Sequence, residues 1–218
     1  MFVATRYATN QRSSSNVLNS ILMNGFIIIQ RLPRHIIEGY NSKGLMPFYF
    51  LQRMTMQKFY TIDFDYLRYM KEADCKVPNF DYDEHDKFFF GVVLQINDMK
   101  YFAPISSKKV DNATSMPIKE MRHNRSEQIA SIRLCFMLPV PDDVLEEVDI
   151  SWLRLTKGSN YADFVAKEYS YCKNNFDRIT RRAQIVYNFG THPEHKYCQY
   201  CCNFHALEDA CRKWKDTE

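Results

Sequence analysis

The stretch that most constrains this chain is the run Phe88-Phe89-Phe90-Gly91-Val92-Val93-Leu94-Gln95-Ile96, apolar and rich in aromatic and β-branched residues. Such a run packs best as a largely buried strand. Asn97-Asp98 follows as a turn pair, and Tyr101-Phe102 resumes the strand, which commits the middle of the chain to an antiparallel hairpin. Gly91 inside the first strand points to a bulge or a close backbone approach. Pro104 has no N–H to give and is expected to end regular pairing. The next residues, Ile105-Ser106-Ser107-Lys108-Lys109, therefore place two hydroxyls and two ammonium groups where a strand gives way to a loop. Rigid scaffolds present chemistry at such places, although Ser-Ser-Lys-Lys on its own also reads as an ordinary solvated turn.

The rest of the chain sets the context. With 218 residues, 45% hydrophobic and 15% aromatic, it can bury one sizeable core dominated by rings. A net charge of +3 is too small to argue for a polyanionic partner. Its distribution says more. Lysine and arginine outnumber acids between Asp98 and Arg133, whereas Asp142, Asp143, Glu146, Glu147 and Asp149 form an acidic block. Seven cysteines, an odd number, with Cys198, Cys201 and Cys202 crowded together, do not form a secreted disulfide framework. The compartment expected is the cytoplasm. The apolar segment Ile21–Ile29 is too short to span a bilayer, so no membrane partner is expected.

Along the chain, residues 1–55 show no sustained period and are interrupted by Pro33, Gly39, Gly44 and Pro47. They are expected to be an N-terminal extension, poorly ordered or translated from upstream sequence, with the working domain spanning 56–218 from Met56. Lys58–Ile62 reads as a strand. Asp63 caps a helix from Phe64 to Glu72, with Phe64, Leu67, Tyr69 and Met70 toward the core. Asp81–Asp86 is an acidic loop with Lys87 at its exit. Val110–Gln128 is a long polar connection carrying Lys119, Arg122, His123 and Arg125, long enough to be a functional loop. Ile129–Val140 returns as a strand, with Ile132, Leu134, Phe136 and Leu138 on one face, and Pro139 and Pro141 close it. The last third is helical, with a stripe from Tyr161 to Ile179 that continues through Ile185-Val186-Tyr187 after a bend. Arg178, Arg181 and Arg182 fall on or beside the opposite face. Asn203 caps a last helix with the stripe Phe204, Leu207, Cys211 and Trp214. These elements predict an α+β fold: a small, strongly twisted antiparallel sheet with helices packed on it.

His192-x-x-His195-x-x-Cys198-x-x-Cys201-Cys202 has zinc-ligand chemistry, but all of it is compressed into one short stretch without an intervening hairpin or helix. A polar loop with partly buried thiols is favoured, and neither metal nor cofactor is expected. No glycine-rich phosphate loop and no Gly-x-Ser-x-Gly elbow occurs.

Six blocks occur in order: Lys58-Phe59-Tyr60-Thr61-Ile62, Lys76-Val77-Pro78-Asn79, Gly91-Val92-Val93-Leu94, Tyr101–Lys109, Ile132–Pro139 and Cys202-Asn203-Phe204. Together they resemble the ToxN/AbiQ family of type III toxin–antitoxin endoribonucleases, from Met56 to about Lys215. The resemblance implies a compact twisted antiparallel sheet or barrel core similar to the MazF/Kid toxins, with added helices, mainly C-terminal. It also implies metal-independent, sequence-preferring RNA cleavage that leaves 2′,3′-cyclic phosphate and 5′-hydroxyl ends, with abortive infection as a phage-defence role. The implied partners are substrate mRNA, an antitoxin precursor RNA, and a small structured antitoxin RNA held with the toxin in a closed hetero-oligomer, with no DNA. Family members carry a hydroxyl pair and then a lysine after Ala-Pro-hydrophobic, matched here by Ser106, Ser107 and Lys109. A lysine ahead of the glycine-containing strand matches Lys87, and the tyrosine of the preceding loop matches Tyr82. Relatives commonly have Thr at the first hydroxyl and Pro where this chain has Lys108.

The residue types suit that chemistry. Attack of a ribose 2′-hydroxyl on its own phosphate needs in-line alignment, proton movement and stabilisation of charge on the phosphoryl oxygens. Lys109 and Lys87 would hold and neutralise the phosphate, Ser107 would orient or shuttle the 2′-hydroxyl proton, and Ser106 would position the scissile group. Unpaired bases could stack on Tyr82 or Tyr101. Lys108, Lys119, Arg122 and Arg125, with Arg178, Arg181 and Arg182, would bind RNA backbone. Two other readings stay open: a non-catalytic RNA-binding module on the same fold, and a zinc-stabilised interaction domain.

Overall fold

The structure, a computed structural model, describes residues 57–78 and 87–215. The extension expected over residues 1–55 and the base-stacking role expected of Tyr82 lie outside the described residues.

Strand β1 (Lys58–Ile62) leads into helix α1 (Phe64–Ala73). Asp63 caps this helix as expected, its carboxylate accepting from the backbone N–H of Asp65 at 2.8 Å and Tyr66 at 3.2 Å; such a cap is worth about 1 kcal/mol. The face differs from expectation at its first turn. Phe64 is 56% exposed and Tyr66 is buried in its place, while Leu67 and Met70 are buried and Tyr69 half-buried as expected. The Tyr66 hydroxyl donates to the Pro139 carbonyl at 2.6 Å, which satisfies a phenol that burial would otherwise strand.

Strands β2 (Phe89–Ile96) and β3 (Met99–Ser106) form the central hairpin, turning at Asn97-Asp98 with both residues at positive φ (47° and 62°). Asn and Asp tolerate that region better than most residues, and the two-residue turn matches the twist of the strands. Gly91 meets both expectations: the register shifts between Gly91 and Leu94, and a Cβ at Gly91 would lie 2.0 Å from the Phe102 ring. Phe102 in turn packs edge-on against Tyr60.

Pro104 does not end the strand, contrary to expectation. β3 runs on to Ser106, with Pro104 buried opposite Phe89 and the Ile105 N–H donating to the Phe88 carbonyl at 2.8 Å. The pleat turns the Pro104 nitrogen toward the other side of β3, where the strand is changing neighbours. There it pairs first with β6 (Leu138–Pro139) and then with β5 (Arg125–Ile132). The missing donor falls in that gap.

The polar segment after Ser106 is not a long loop. From Met116 it is a hairpin of β4 (Met116–Arg122) and β5, turning at His123-Asn124 with φ of 47° and 62°. The alternation Ile132, Leu134, Phe136, Leu138 is likewise not one strand face. A 3-10 turn, Leu134–Phe136, separates β5 from β6 and buries Leu134 and Cys135. β7 (Leu145–Glu147) closes the order β4-β5-β3-β2-β1-β7, with β6 against β3.

Helix α2 (Ile150–Thr156), not foreseen, is capped by Asp149, which accepts from Ser151 N–H at 2.7 Å and Trp152 N–H at 3.3 Å. The long stripe divides into α3 (Ser159–Asn174) and α4 (Phe176–Thr191), broken at Asn175, whose side chain donates to the Tyr171 carbonyl at 2.9 Å. α5 (Phe204–Lys215) begins at Asn203, whose side chain accepts from the Ala206 N–H at 3.2 Å. The α+β class stands: a seven-stranded antiparallel sheet with five helices among the described residues. Rings fill the interface between sheet and helices, with Phe59 against Phe88, Phe90 and Tyr169. Burying each such ring stabilises by roughly 2–3 kcal/mol. None of the described helices is long and apolar enough to cross a membrane.

Candidate active site

The end of β3 carries the candidate site. Ser106 is the last strand residue and is half-buried; Ser107, Lys108 and Lys109 are exposed. The Lys108 N–H donates to the Ser106 Oγ at 3.3 Å, so Ser106 shapes the turn that follows it. From the neighbouring strand, Ser131 donates its hydroxyl to the Lys108 carbonyl at 2.6 Å, and Gln128 donates to the Val110 carbonyl at 3.2 Å. The backbone of the loop is thus tied to β5 while the Ser107 and Lys109 side chains reach solvent.

Strand register decides what faces Ser106. Phe89 lies opposite Pro104 and Phe88 bonds Ile105, so extending the ladder one step puts Lys87 opposite Ser106. On the other side Ser106 pairs with Ser131. Ser106 and Ser131 therefore face each other across two strands, and Lys87, two residues before β2, continues that row where the β2–β3 register is extended, opposed residues sharing a face. The Arg133 N–H donates to the Pro104 carbonyl at 3.0 Å, two positions back on that face. The Arg133 guanidinium lies 5.0 Å from the centre of the Phe136 ring, and its Nε is buried with no hydrogen-bond partner among the described residues. Burial, and secondarily the Arg133 charge, lower the Lys87 pKa from the ordinary lysine value.

The structure thus brings Lys87 and Ser106 together and holds Ser107 and Lys109 in the adjoining turn. It does not bring Arg122 and Arg125 to this point. Arg122 and Arg125 flank the β4–β5 turn, about 20 Å along the strand from Ser131 at 3.3–3.4 Å per residue. Arg122 is bound to Glu120 at 2.7 Å, and Lys167 takes the other oxygen of that carboxylate, also at 2.7 Å. Lys119 is exposed on β4. On α4, Arg182 is half-buried beside the face of Ile179, Ala183 and Val186, Arg178 is exposed, and Arg181 lies opposite that face with its Nε donating to the Asp177 carbonyl at 3.2 Å.

Tyr101 corrects its expected role. Its ring is fully buried, edge-on to Tyr187 and Phe204, and its hydroxyl donates to Glu208 Oε1 at 2.6 Å. No base can reach that ring. Tyr187 donates to the same oxygen at 2.7 Å, and burial first, then the bond to Glu208, pushes the Tyr101 pKa up. Tyr101 fixes the start of β3 and does not read substrate.

The cysteine–histidine stretch does not converge. His192 Nδ1 contacts the Asn188 carbonyl at 2.7 Å, His195 stacks on Phe189 at 4.2 Å, and Cys201 and Cys202 are buried. Burial pushes the Cys201 thiol up to about 12. No group of three or more His, Cys, Asp or Glu that could hold a metal ion occurs among the described residues.

Two site residues were not identified from the sequence. Ser131 carries no local signal. Arg133 has one: it is the only charged residue in Ile129–Val140, and a lone guanidinium in an apolar run needs a reason to be there. Beside the site, Lys87 borders a cleft of about 690 Å³ whose lining includes Asp143, Glu146, Glu147 and Asp149, from the acidic block seen in the sequence.

Known proteins resemble this chain in fold and sequence. Residues 58–212 match the family described as Toxin ToxN, type III toxin–antitoxin system. Endoribonuclease ToxN of Pectobacterium atrosepticum is 33% identical over 175 residues, covering 74% of this chain and 98% of that protein. Endoribonuclease ToxN of Bacillus thuringiensis subsp. kurstaki is 32% identical over 167 residues, covering 74% and 86%. A solved structure from work on selective toxin inhibition by a non-coding RNA pseudoknot in type III systems aligns with a TM-score of 0.64 at 30% identity, over 72% of this chain and 97% of that one. The AbiQ structure, a lactococcal anti-phage endoribonuclease, has a TM-score of 0.63 at 22% identity and supports the fold. This chain belongs to the ToxN/AbiQ family of type III toxin–antitoxin toxins.

Proposed function

We propose that this protein is an endoribonuclease toxin whose active site is the end of β3 with Lys87, and that a small structured RNA made from its own precursor inhibits it in a closed toxin–RNA assembly. The observation that carries the reading is the row Lys87–Ser106–Ser131, which sets a partly desolvated ammonium opposite the first hydroxyl of the Ser106–Lys109 turn. In the reaction, the ribose 2′-oxygen bonds to phosphorus and the P–O5′ bond breaks, giving a 2′,3′-cyclic phosphate and a 5′-hydroxyl without a metal. Ser107 orients the 2′-hydroxyl and relays its proton. Ser106 positions the scissile group, and Lys109 and Lys87 neutralise charge on the phosphoryl oxygens. A lowered pKa also makes the Lys87 ammonium the better donor to the departing 5′-oxygen.

In the same reading, Lys108, Lys119, Arg122, Arg125, Arg178, Arg181 and Arg182 contact RNA backbone away from the cut, Tyr82 stacks a base, and the sheet is kin to the core of the MazF/Kid toxins. The deciding experiment compares Ser107→Ala and Lys109→Ala with the parent in RNA cleavage and growth inhibition. Both variants are expected to fold, to bind RNA and to lose cleavage by about 100-fold or more. Cleavage at the parental rate by both would overturn the site. Binding without cleavage by the parent itself would make the protein an RNA-binding module. Cleavage that stops in EDTA would overturn the metal-independent step.

A further inference from the structure

We propose that Arg133 is a catalytic residue of this site: its guanidinium, held over the Phe136 ring with Nε unpartnered, binds the non-bridging oxygens of the scissile phosphate. The inference rests on the nuclease reading above and adds a group to it.

Three independent features lead to Arg133. The first is cost. A buried guanidinium N–H without an acceptor forfeits roughly 1–3 kcal/mol, more for a charged group, so native structures rarely leave one that way. No carboxylate pairs with Arg133 among the described residues, although the sheet carries Glu120, Glu127, Glu146 and Glu147 elsewhere. A bound oxyanion would supply the missing acceptor. The second is aim. The bond from Arg133 N–H to the Pro104 carbonyl fixes this residue two positions from Ser106 on the same face, and the Phe136 ring, its centre 5.0 Å from the guanidinium carbon, restrains the side chain. A planar fork with a set orientation matches two phosphoryl oxygens, which a lysine cannot do. The third is company. Arg133 is close enough to Lys87 to lower its pKa, so a second cation stands beside the guanidinium. Like charges are kept together at such a cost where an anion is to come between them.

Arg133 makes and breaks no bond. The 2′-oxygen attacks and the 5′-oxygen leaves as described above, and the guanidinium takes up the negative charge that builds on the phosphoryl oxygens between those events. That charge is largest in the transition state, so the contribution appears mainly in kcat.

The test uses the full chain, an RNA oligonucleotide substrate, and the same oligonucleotide with a 2′-deoxy residue at the cut, which binds but cannot react. Arg133→Ala is expected to lower kcat about 100-fold, to change affinity for the 2′-deoxy probe by less than about 5-fold, and to keep its melting temperature. Arg133→Lys restores part of the rate. Millimolar guanidinium ion restores cleavage to Arg133→Ala but does nothing for Lys109→Ala, a response that a packing role would not give. Should the alanine variant fail to fold, Arg133→Gln and Arg133→Lys carry the same measurements. Cleavage within about 3-fold of the parent, or a loss that tracks melting temperature and resists guanidinium, overturns the assignment. If Ser107→Ala and Lys109→Ala also cleave normally, the nuclease site itself has failed; if only the Arg133 variants do, this inference alone has.

Discussion

The two ends of β3 hold charge in opposite ways. At Tyr101 the buried carboxylate of Glu208 takes two phenol donors on one oxygen, 2.6 and 2.7 Å away, and its other oxygen faces His205 at 3.6 Å and Arg212 at 3.9 Å. Every polar atom there has company, and the network ties β3 to α4 and α5. At Ser106, a few residues on, Lys87 and Arg133 sit together with a guanidinium nitrogen unpartnered, and the hydroxyls and ammonium of the next turn reach solvent. A satisfied network stabilises a fold, whereas one left short of an acceptor is built for a visitor. The strand between them transmits position from the first kind of end to the second.

Mutations should separate the two ends. The largest effect is expected from Lys87→Ala, with cleavage down by about 100-fold and melting little changed. Because the Lys87 pKa is lowered on folding, the unfolded chain holds more protons over the window from its folded pKa up to the ordinary lysine value. Stability should therefore rise with pH across that window, and Lys87→Met should flatten the rise in a series of melts. A drop in melting temperature without loss of cleavage would reverse the contrast.

Glu168 on α3 sharpens it as a third case, a carboxyl that is 4% exposed and makes no side-chain hydrogen bond among the described residues. Burial raises its pKa from 4.5 to about 8. The folded state then binds more protons than the unfolded one between those values, so stability should fall as pH rises from about 4.5 to about 8. Glu168→Gln should stabilise by a few kcal/mol at most above that range, with little effect at pH 4, measured by denaturant unfolding. A variant with an unchanged pH slope would mean that the carboxyl is paired.

Tyr101→Phe should cost about 1–2 kcal/mol by removing one donor from Glu208, or roughly 2–8 °C in melting temperature, while cleavage per folded molecule holds. Reduced kcat at full folding would place Tyr101 in the mechanism. The smallest effect is expected at the β4–β5 hairpin, where Lys119→Ala should weaken RNA binding only a few-fold and lower its salt slope by about one.

What could be read in the sequence follows the range of the interactions. The Asn97-Asp98 hairpin, the Asp63 and Asn203 caps and the close approach at Gly91 are local, and the residue types alone announce them. The second hairpin was hidden because the strand ends beside His123-Asn124 are polar and exposed, so no apolar run marks the turn as it does at Asn97-Asp98. The stretch from Ile132 to Leu138 keeps a two-residue apolar period while its middle coils into a 3-10 turn, because both sides are buried and the pattern cannot tell one from the other. Tyr101 looked available for stacking because the carboxylate that claims it lies 107 residues away. Arg133 became meaningful only when register placed it two positions from Ser106 on one face.

Pro104 also works as a ruler. Its nitrogen points toward the side where β5 docks, so β5 can pair along β3 only from Ile105 onward. Sliding the hairpin by two residues would keep every side chain on its face, yet it would put a residue with no N–H inside the ladder and leave an opposing carbonyl unanswered. That slip would also carry Ser131 away from the Lys108 carbonyl it anchors. A residue with no part in chemistry thus sets the spacing between the two strands that frame the Ser106–Lys109 turn, and replacing it would relax a length standard before it relaxed the core.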